Sequence, residues 1–153
     1  VYPGAREIRE IFEGVELQKF GEPRMDANTP EFDSLDAVVE AVIGAAYEVS
    51  NVLGAGFLEK VYERALTREL AGRGVAVKSQ VSYPVVYKGH CVGDYVADLV
   101  AENRLLIELK CVDRFSNEHM AQCINYLKAA HLRLALLINF QKPKVEWKRI
   151  IYG

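Results

Sequence analysis

"YVADLV" (residues 95–100) and "LIELK" (residues 106–110) decide the fold of this chain. Both segments are short and rich in Val, Leu and Ile, as buried strands are, yet Asp98, Glu108 and Lys110 run through their middles. Side chains alternate along a strand, so Glu108 and Lys110 share one face while Ile107 and Leu109 take the other. The connection between the strands settles where Asp98 points. A three-residue loop of Glu102, Asn103 and Arg104, with Asn103 left-handed, pairs Ala101 with Leu105 and brings Asp98 opposite Glu108. A two-residue loop sends the two acids to opposite faces.

In the three-residue register, two ionised carboxylates about 4 Å apart repel by roughly 4 kcal/mol at an effective dielectric near 20. That is several times what a favourable cross-strand pair contributes. Lys110 offsets part of it. A divalent cation offsets more, because it turns repulsion into coordination; Asp98, Glu108 and the Leu109 carbonyl would be ligands, with water and substrate oxygens completing an octahedron suited to Mg²⁺ or Mn²⁺. The competing reading makes Asp98 an exposed strand residue and Glu108 with Lys110 a surface ion pair. Val96, Val100 and Leu106 fall on the charged face, which is therefore expected to be covered, and covered charge needs a partner.

Outward from the hairpin, the periodicity changes twice. Upstream, "VAVKSQVSYPVVYK" completes a run of strands, with Lys88-Gly89-His90 as the turn before "CVGDYVADLVA". Before that come two helices. One starts near Ser34, capped by Asp33 or Ser34, with Leu35, Val38, Val39, Val42, Ile43 and Ala46 as its stripe; the next runs from Phe57 to about Arg73, burying Leu58, Val61, Tyr62, Ala65 and Leu70 and stopping at Gly74. Downstream, "SNEHMAQCINYLKAAHL" has helical spacing with Ser116 or Asn117 as cap. "RLALLINF" reads as a central strand and "VEWKRII" as an edge strand. The order predicts an α/β fold, a mixed β-sheet core flanked by helices. Residues 1–33 read as an extension, a helix over "AREIREIFEGVELQKF" plus a turn-rich linker; residues 34–153 read as the domain.

The 153 residues, half of them apolar and 26% charged, suffice for one domain with a core. There is neither a membrane-spanning run nor a signal-peptide pattern, and three cysteines without CxxC spacing suit reduced thiols; a soluble, cytoplasmic protein is expected. The net charge of −2 argues against binding nucleic acid by bulk charge. Its distribution is uneven. The first sixty residues are acid-rich, whereas the C-terminal third is basic, with Lys142, Lys144, Lys148 and Arg149, so a polyanion would approach there. His119, Cys123 and Cys111 invite comparison with a zinc site but lack a fourth ligand. "GAGFLE" lacks the third glycine of a dinucleotide loop, and no Walker loop or GxSxG elbow occurs.

An acid on one strand followed by Glu-x-Lys on the next, between helices, resembles the PD-(D/E)XK nuclease superfamily. "GFLEKVY" (56–62) resembles the signature of its GxxExxY branch through Gly56, Glu59 and Tyr62, and "QCINY" (122–126) resembles the Gln-x-x-x-Tyr helix motif of exonuclease-like branches. The four elements also follow the family's order, from about Ser34 to Ile151. Ala97 departs from it, standing where the superfamily's name has proline. The resemblance implies a restriction-endonuclease-like α-β-β-β-α-β core with an extra N-terminal helix and a C-terminal strand. It implies a Mg²⁺- or Mn²⁺-dependent nuclease acting on DNA or RNA, with Asp98, Glu108 and the Leu109 carbonyl on the metal and Glu59 supporting, directly or through water. Lys110 would serve the phosphate, and Gln122 with Tyr126 would orient. The alternative is a catalytically inactive nuclease-fold module that binds nucleic acid or a protein, with a homodimer through the N-terminal helix as one arrangement.

Overall fold

The computed structural model describes residues 32–153. The helix expected over the first thirty residues, and any dimer contact through it, lie outside the described residues. Helix α1 (Leu35–Leu53) begins at Ser34, whose Oγ accepts the Ala37 N–H at 3.1 Å, and buries Leu35, Val38, Val39, Val42, Ala45, Ala46 and Val49 at helical spacing. It ends at Gly54, where φ is +71° and a side chain would be strained.

Helix α2 (Glu59–Gly72) starts two residues later than its sequence suggests, and its buried stripe differs from the expected one. Tyr62, Glu63, Leu66 and Leu70 face inward, while Leu58 and Val61, expected inside, are 79% and 38% exposed. Strands β1 (Val77–Tyr87) and β2 (His90–Ala101) form a long hairpin about the Lys88-Gly89 turn, in which both residues have positive φ. His90 belongs to β2 rather than to the turn.

Strand β3 (Leu105–Lys110) follows the three-residue loop, and Ala101 pairs with Leu105 as expected. Glu102 as well as Asn103 adopts positive φ there. The Glu102 N–H donates to Ala76 O at 2.7 Å and its carboxylate accepts the Ala76 N–H at 3.0 Å, contacts that hold a non-glycine residue in that conformation.

Helix α3 (Asn117–Ala130) carries the chain from β3 to the parallel strand β4 (Leu134–Asn139), buried along its whole length, and β5 (Glu146–Ile151) closes the edge. The sheet order is β1-β2-β3-β4-β5, mixed, and flanked by helices: an α/β restriction-endonuclease-like arrangement. Alternation divides the core. Leu99, Leu105, Ile107, Leu109, Leu136 and Ile138 pack with α1 and α2, whereas Val100, Leu106, Ala135, Leu137 and Ile150 pack with Met120, Ile124 and Leu127 of α3. Ala97 breaks the alternation by joining Val100 on the α3 side. The break falls at Asp98.

Candidate active site at the end of the β2–β3 ladder

Regular pairing of β2 with β3 covers Leu99 with Ile107, Val100 with Leu106 and Ala101 with Leu105, and goes no further. One step on, two carboxylates take the place of carbonyls. The Asp98 N–H donates to Glu108 Oε1 at 3.1 Å, and the Leu109 N–H donates to Asp98 Oδ2 at 2.8 Å. The N–H and C=O of one strand residue point to the same neighbour, so the Leu109 carbonyl faces Asp98 too. Asp98 is half-buried and Glu108 only 4% exposed. The charged face is covered at Val100 and Leu106; Val96, expected beside them, lies beyond the break in alternation, opposite to Ala97 and Tyr95, and is 42% exposed, so the acids sit where the core opens.

Their electrostatics follow from that position. Burial, then the facing Asp98 carboxyl, pushes Glu108 up to about 8 despite its backbone hydrogen bond. Asp98 is raised as well, chiefly by burial and further by the charge of Glu63. In the metal-free pair Glu108 therefore retains its proton near neutrality. Lys110 lies on the same face and lowers both; its Nζ is 3.4 Å from Gln122 Oε1 on α3. One turn on, Tyr126 meets Tyr95 of β2 edge to face at 4.8 Å. Burial and the negative charge of Glu108 and Asp98 push its phenol up to about 12. Asp98, Glu108, Lys110, Gln122 and Tyr126 are thus gathered in one place.

Gly56, Glu59 and Tyr62 divide into framework and rim. Gly56 has φ +108°, which excludes other residues without strain. The Tyr62 ring is fully buried and stacks on Phe140 at 4.6 Å, while its hydroxyl donates to Gly54 O and accepts the Phe57 N–H at 3.3 Å, tying down the α1–α2 loop. Glu59 is exposed at the first turn of α2, close enough for its charge to act on Cys111 and His119. The acid of α2 that is buried beside Asp98 is Glu63, 7% exposed, bound by Lys60 Nζ at 3.2 Å and Gln80 Nε2 at 3.0 Å. Gln80 adopts φ +52° inside β1. The i to i+4 spacing from Glu59 was the only sign of Glu63 in the sequence.

Asn139 also escaped sequence reading, because a polar residue ending an apolar run looks like a strand terminus. It is fully buried, accepting the Val112 N–H at 3.1 Å and donating to Val112 O at 2.7 Å, which fixes the chain just past Lys110. His119 accepts the Ser116 N–H through Nδ1 in its own helix cap, and Cys123 is buried in the core, its thiol raised by burial. The basic C-terminal segment is partly committed within the protein: Arg149 pairs with Asp36 at 3.3 Å and Lys142 with Glu146 at 3.5 Å.

Among the described residues no three His, Cys, Asp or Glu side chains gather into a ready metal site. The donors that do converge, two carboxylates and a carbonyl, are hard oxygens with raised proton affinity. They fit Mg²⁺ or Mn²⁺ completed by water and substrate rather than Zn²⁺.

No curated protein matches the chain by sequence. Among solved structures, SSO0001 is similar at 18% identity and a TM-score of 0.49, over 77% of this chain and 59% of that one; the chain thus spans under two thirds of that protein's length. The alkaline exonuclease LHK-Exo from Laribacter hongkongensis is similar at 13% identity and a TM-score of 0.45, over 77% of this chain and 82% of that one. The same exonuclease in complex with dAMP is similar at 13% identity and 0.45, over 75% and 83%. The family model of the PD-(D/E)XK nuclease superfamily matches residues 36–150, nearly the whole described chain. With an acid on β2 and Glu-x-Lys on β3 at the end of a shared ladder, this chain belongs to the PD-(D/E)XK nuclease superfamily.

Proposed function

We propose that this chain is a divalent-metal-dependent nuclease of the GxxExxY branch, hydrolysing phosphodiester bonds in DNA or RNA with Asp98, Glu108 and the Leu109 carbonyl as ligands of Mg²⁺ or Mn²⁺. The observation that carries the reading is the exchange at the ladder's end, where each acid accepts the backbone N–H of the facing strand and Lys110 stands alongside. Each carboxylate is thereby oriented by one oxygen and keeps lone pairs for an ion.

A bound dication would acidify the attacking water and neutralise part of the growing charge on phosphorus. The chain's residues do the rest. In the reaction water adds to phosphorus, one P–O ester bond breaks, and the departing oxygen leaves as an alcohol after taking up a proton. Lys110, held by Gln122, sets its ammonium where the equatorial phosphate oxygens gain charge. Tyr126 presents a phenol that stays protonated across the working pH range and so remains a hydrogen-bond donor. Glu59, at the rim, supports the metal's water.

The test is calorimetric titration of Mn²⁺ into wild-type protein and Glu108→Gln, beside cleavage of end-labelled DNA and RNA. The proposal expects uptake and cleavage by the wild type and loss of both in the variant. Wild-type protein that binds nucleic acid but takes up no Mn²⁺ would instead be an inactive binding module.

A further inference from the structure

The hairpin of β1 and β2 runs well past the end of β3, and this projecting arm leans on α3 rather than on another strand. Between them lies a groove of about 310 Å³ walled by Pro84, Val86 and Tyr95 from the arm and by Asn125, Lys128 and His131 from α3 and its C-terminal cap. Its chemistry is asymmetric. The arm offers an aromatic ring and aliphatic surface; the helix side offers an amide that can donate and accept, an ammonium and an imidazole.

The groove is also continuous with the acid pair. Tyr95 lies three residues, about 10 Å, along β2 from Asp98. It touches Tyr126, whose phenol feels the charges of Glu108 and Asp98. A polymer with its phosphate at Lys110 would therefore bring a neighbouring unit to Tyr95.

Given the nuclease reading, on which this rests, we infer that the groove takes one unpaired nucleotide of the substrate: its base against Tyr95 and Pro84, its polar edge at Asn125, and its phosphate toward Lys128 and His131. The volume is at the small end of ligand sites, room for one base and its sugar rather than a stacked pair. Stacking of a base on an aromatic ring beside a basic side chain is how proteins hold single strands with little regard to sequence. The substrate class is accordingly single-stranded nucleic acid, or a duplex with an unpaired end.

Fluorescence anisotropy in EDTA, which stops cleavage, tests this with a labelled single-stranded 12-mer in DNA and RNA form and the corresponding blunt duplex. The single strand is expected to bind about tenfold or more tightly than the duplex. Tyr95→Ala should weaken single-strand binding about tenfold, Tyr95→Phe should preserve it, and Lys128→Glu, an exposed substitution, should weaken it about fivefold with the circular dichroism spectrum unchanged. If Tyr95→Ala does not fold, Lys128→Glu decides alone. Equal affinity for single strand and duplex, or unchanged binding by the folded variants, overturns the inference. A parallel Mn²⁺ cleavage assay separates the two ideas: cleavage without single-strand preference removes the groove's role and leaves the nuclease, whereas preference without cleavage does the reverse.

Discussion

The β2–β3 hairpin contains two kinds of pairing a single residue apart. From Ala101 to Leu99 the ladder is regular and both its faces are buried against helices; one step on, the Asp98 and Leu109 N–H groups donate to the carboxylates of Glu108 and Asp98, and the regular pairing ends. The first region is held by burial of apolar surface, which no single side chain dominates. The second spends stability, since two acids are buried together and one is forced to keep its proton to about pH 8. Such a pair at the mouth of the core costs the fold stability, which is what the proposed metal site would explain.

The comparison is broken most directly by Glu108→Gln. Cleavage should fall by a thousandfold or more in single-turnover assays, because a preorganised charge is lost without loss of shape. The apolar end of the hairpin should be untouched, so the variant should melt at or above the wild-type temperature in EDTA. A fall in activity accompanied by unfolding would show that the pair serves the fold.

The next largest effect is on stability against pH. Glu108 has a higher pKa in the folded protein than in the unfolded chain, so its contribution is complete below about 4.5, declines as pH rises toward 8, and is gone above that. Asp98 is raised in the same sense. The groups facing Glu108 are Asp98, Lys110, Cys123 and Tyr126; the Asp98 backbone N–H and the Lys110 ammonium favour its ionisation, and burial with the Asp98 carboxyl outweighs them. Metal-free protein should lose a few kcal/mol of stability between about pH 5 and pH 8, measured by urea unfolding, and Glu108→Gln should flatten the curve. A wild-type stability that rises over this interval would contradict the burial of the pair.

Lys110→Arg is expected to lower turnover about a hundredfold while changing nucleic-acid affinity in EDTA by no more than about twofold, since the planar guanidinium keeps the charge but not the point contact beside Gln122. A matching loss of affinity would make Lys110 a docking residue instead.

Much of this contrast was legible in the sequence. Charges at Asp98, Glu108 and Lys110 inside apolar strands and the i to i+4 pair Gln122 and Tyr126 marked the residues, while the choice between a three-residue and a two-residue loop, which decides whether the acids meet, waited for the Ala101–Leu105 pairing. The parts that escaped depend on helix phase and on burial across the sheet. Helix α2 packs with Glu63 inward and Val61 outward, and nothing local distinguishes that phase from its neighbour. Val96 looks in the sequence as if it shares the face of Val100, but the alternation breaks at Asp98: Tyr95 and Ala97 take the α3 side, and Val96 between them turns the other way and stays exposed. Asn139 and Gln80 act through partners far away in the chain, invisible to any local pattern.

The two glutamates of α2 give the finest version of the comparison, one matched by a motif and one found by geometry. Glu63 is buried and its charge raises Asp98, so Glu63→Gln should ease ionisation of the acid pair while loosening the amide held at Gln80. Cleavage should fall by roughly fivefold to tenfold, and stability by about 1 kcal/mol, since Lys60 can turn to solvent once its partner is neutral. Glu59 stands exposed at the rim, where Glu59→Gln should leave stability within about 0.5 kcal/mol and lower cleavage twofold or threefold by loosening the water it supports. Measured side by side at one metal concentration, a larger loss at Glu63 means that α2 acts on Asp98 through its buried face. A larger loss at Glu59 would mean that the substrate or metal draws the first turn of α2 inward, and the exposed acid, rather than the buried one, completes the site.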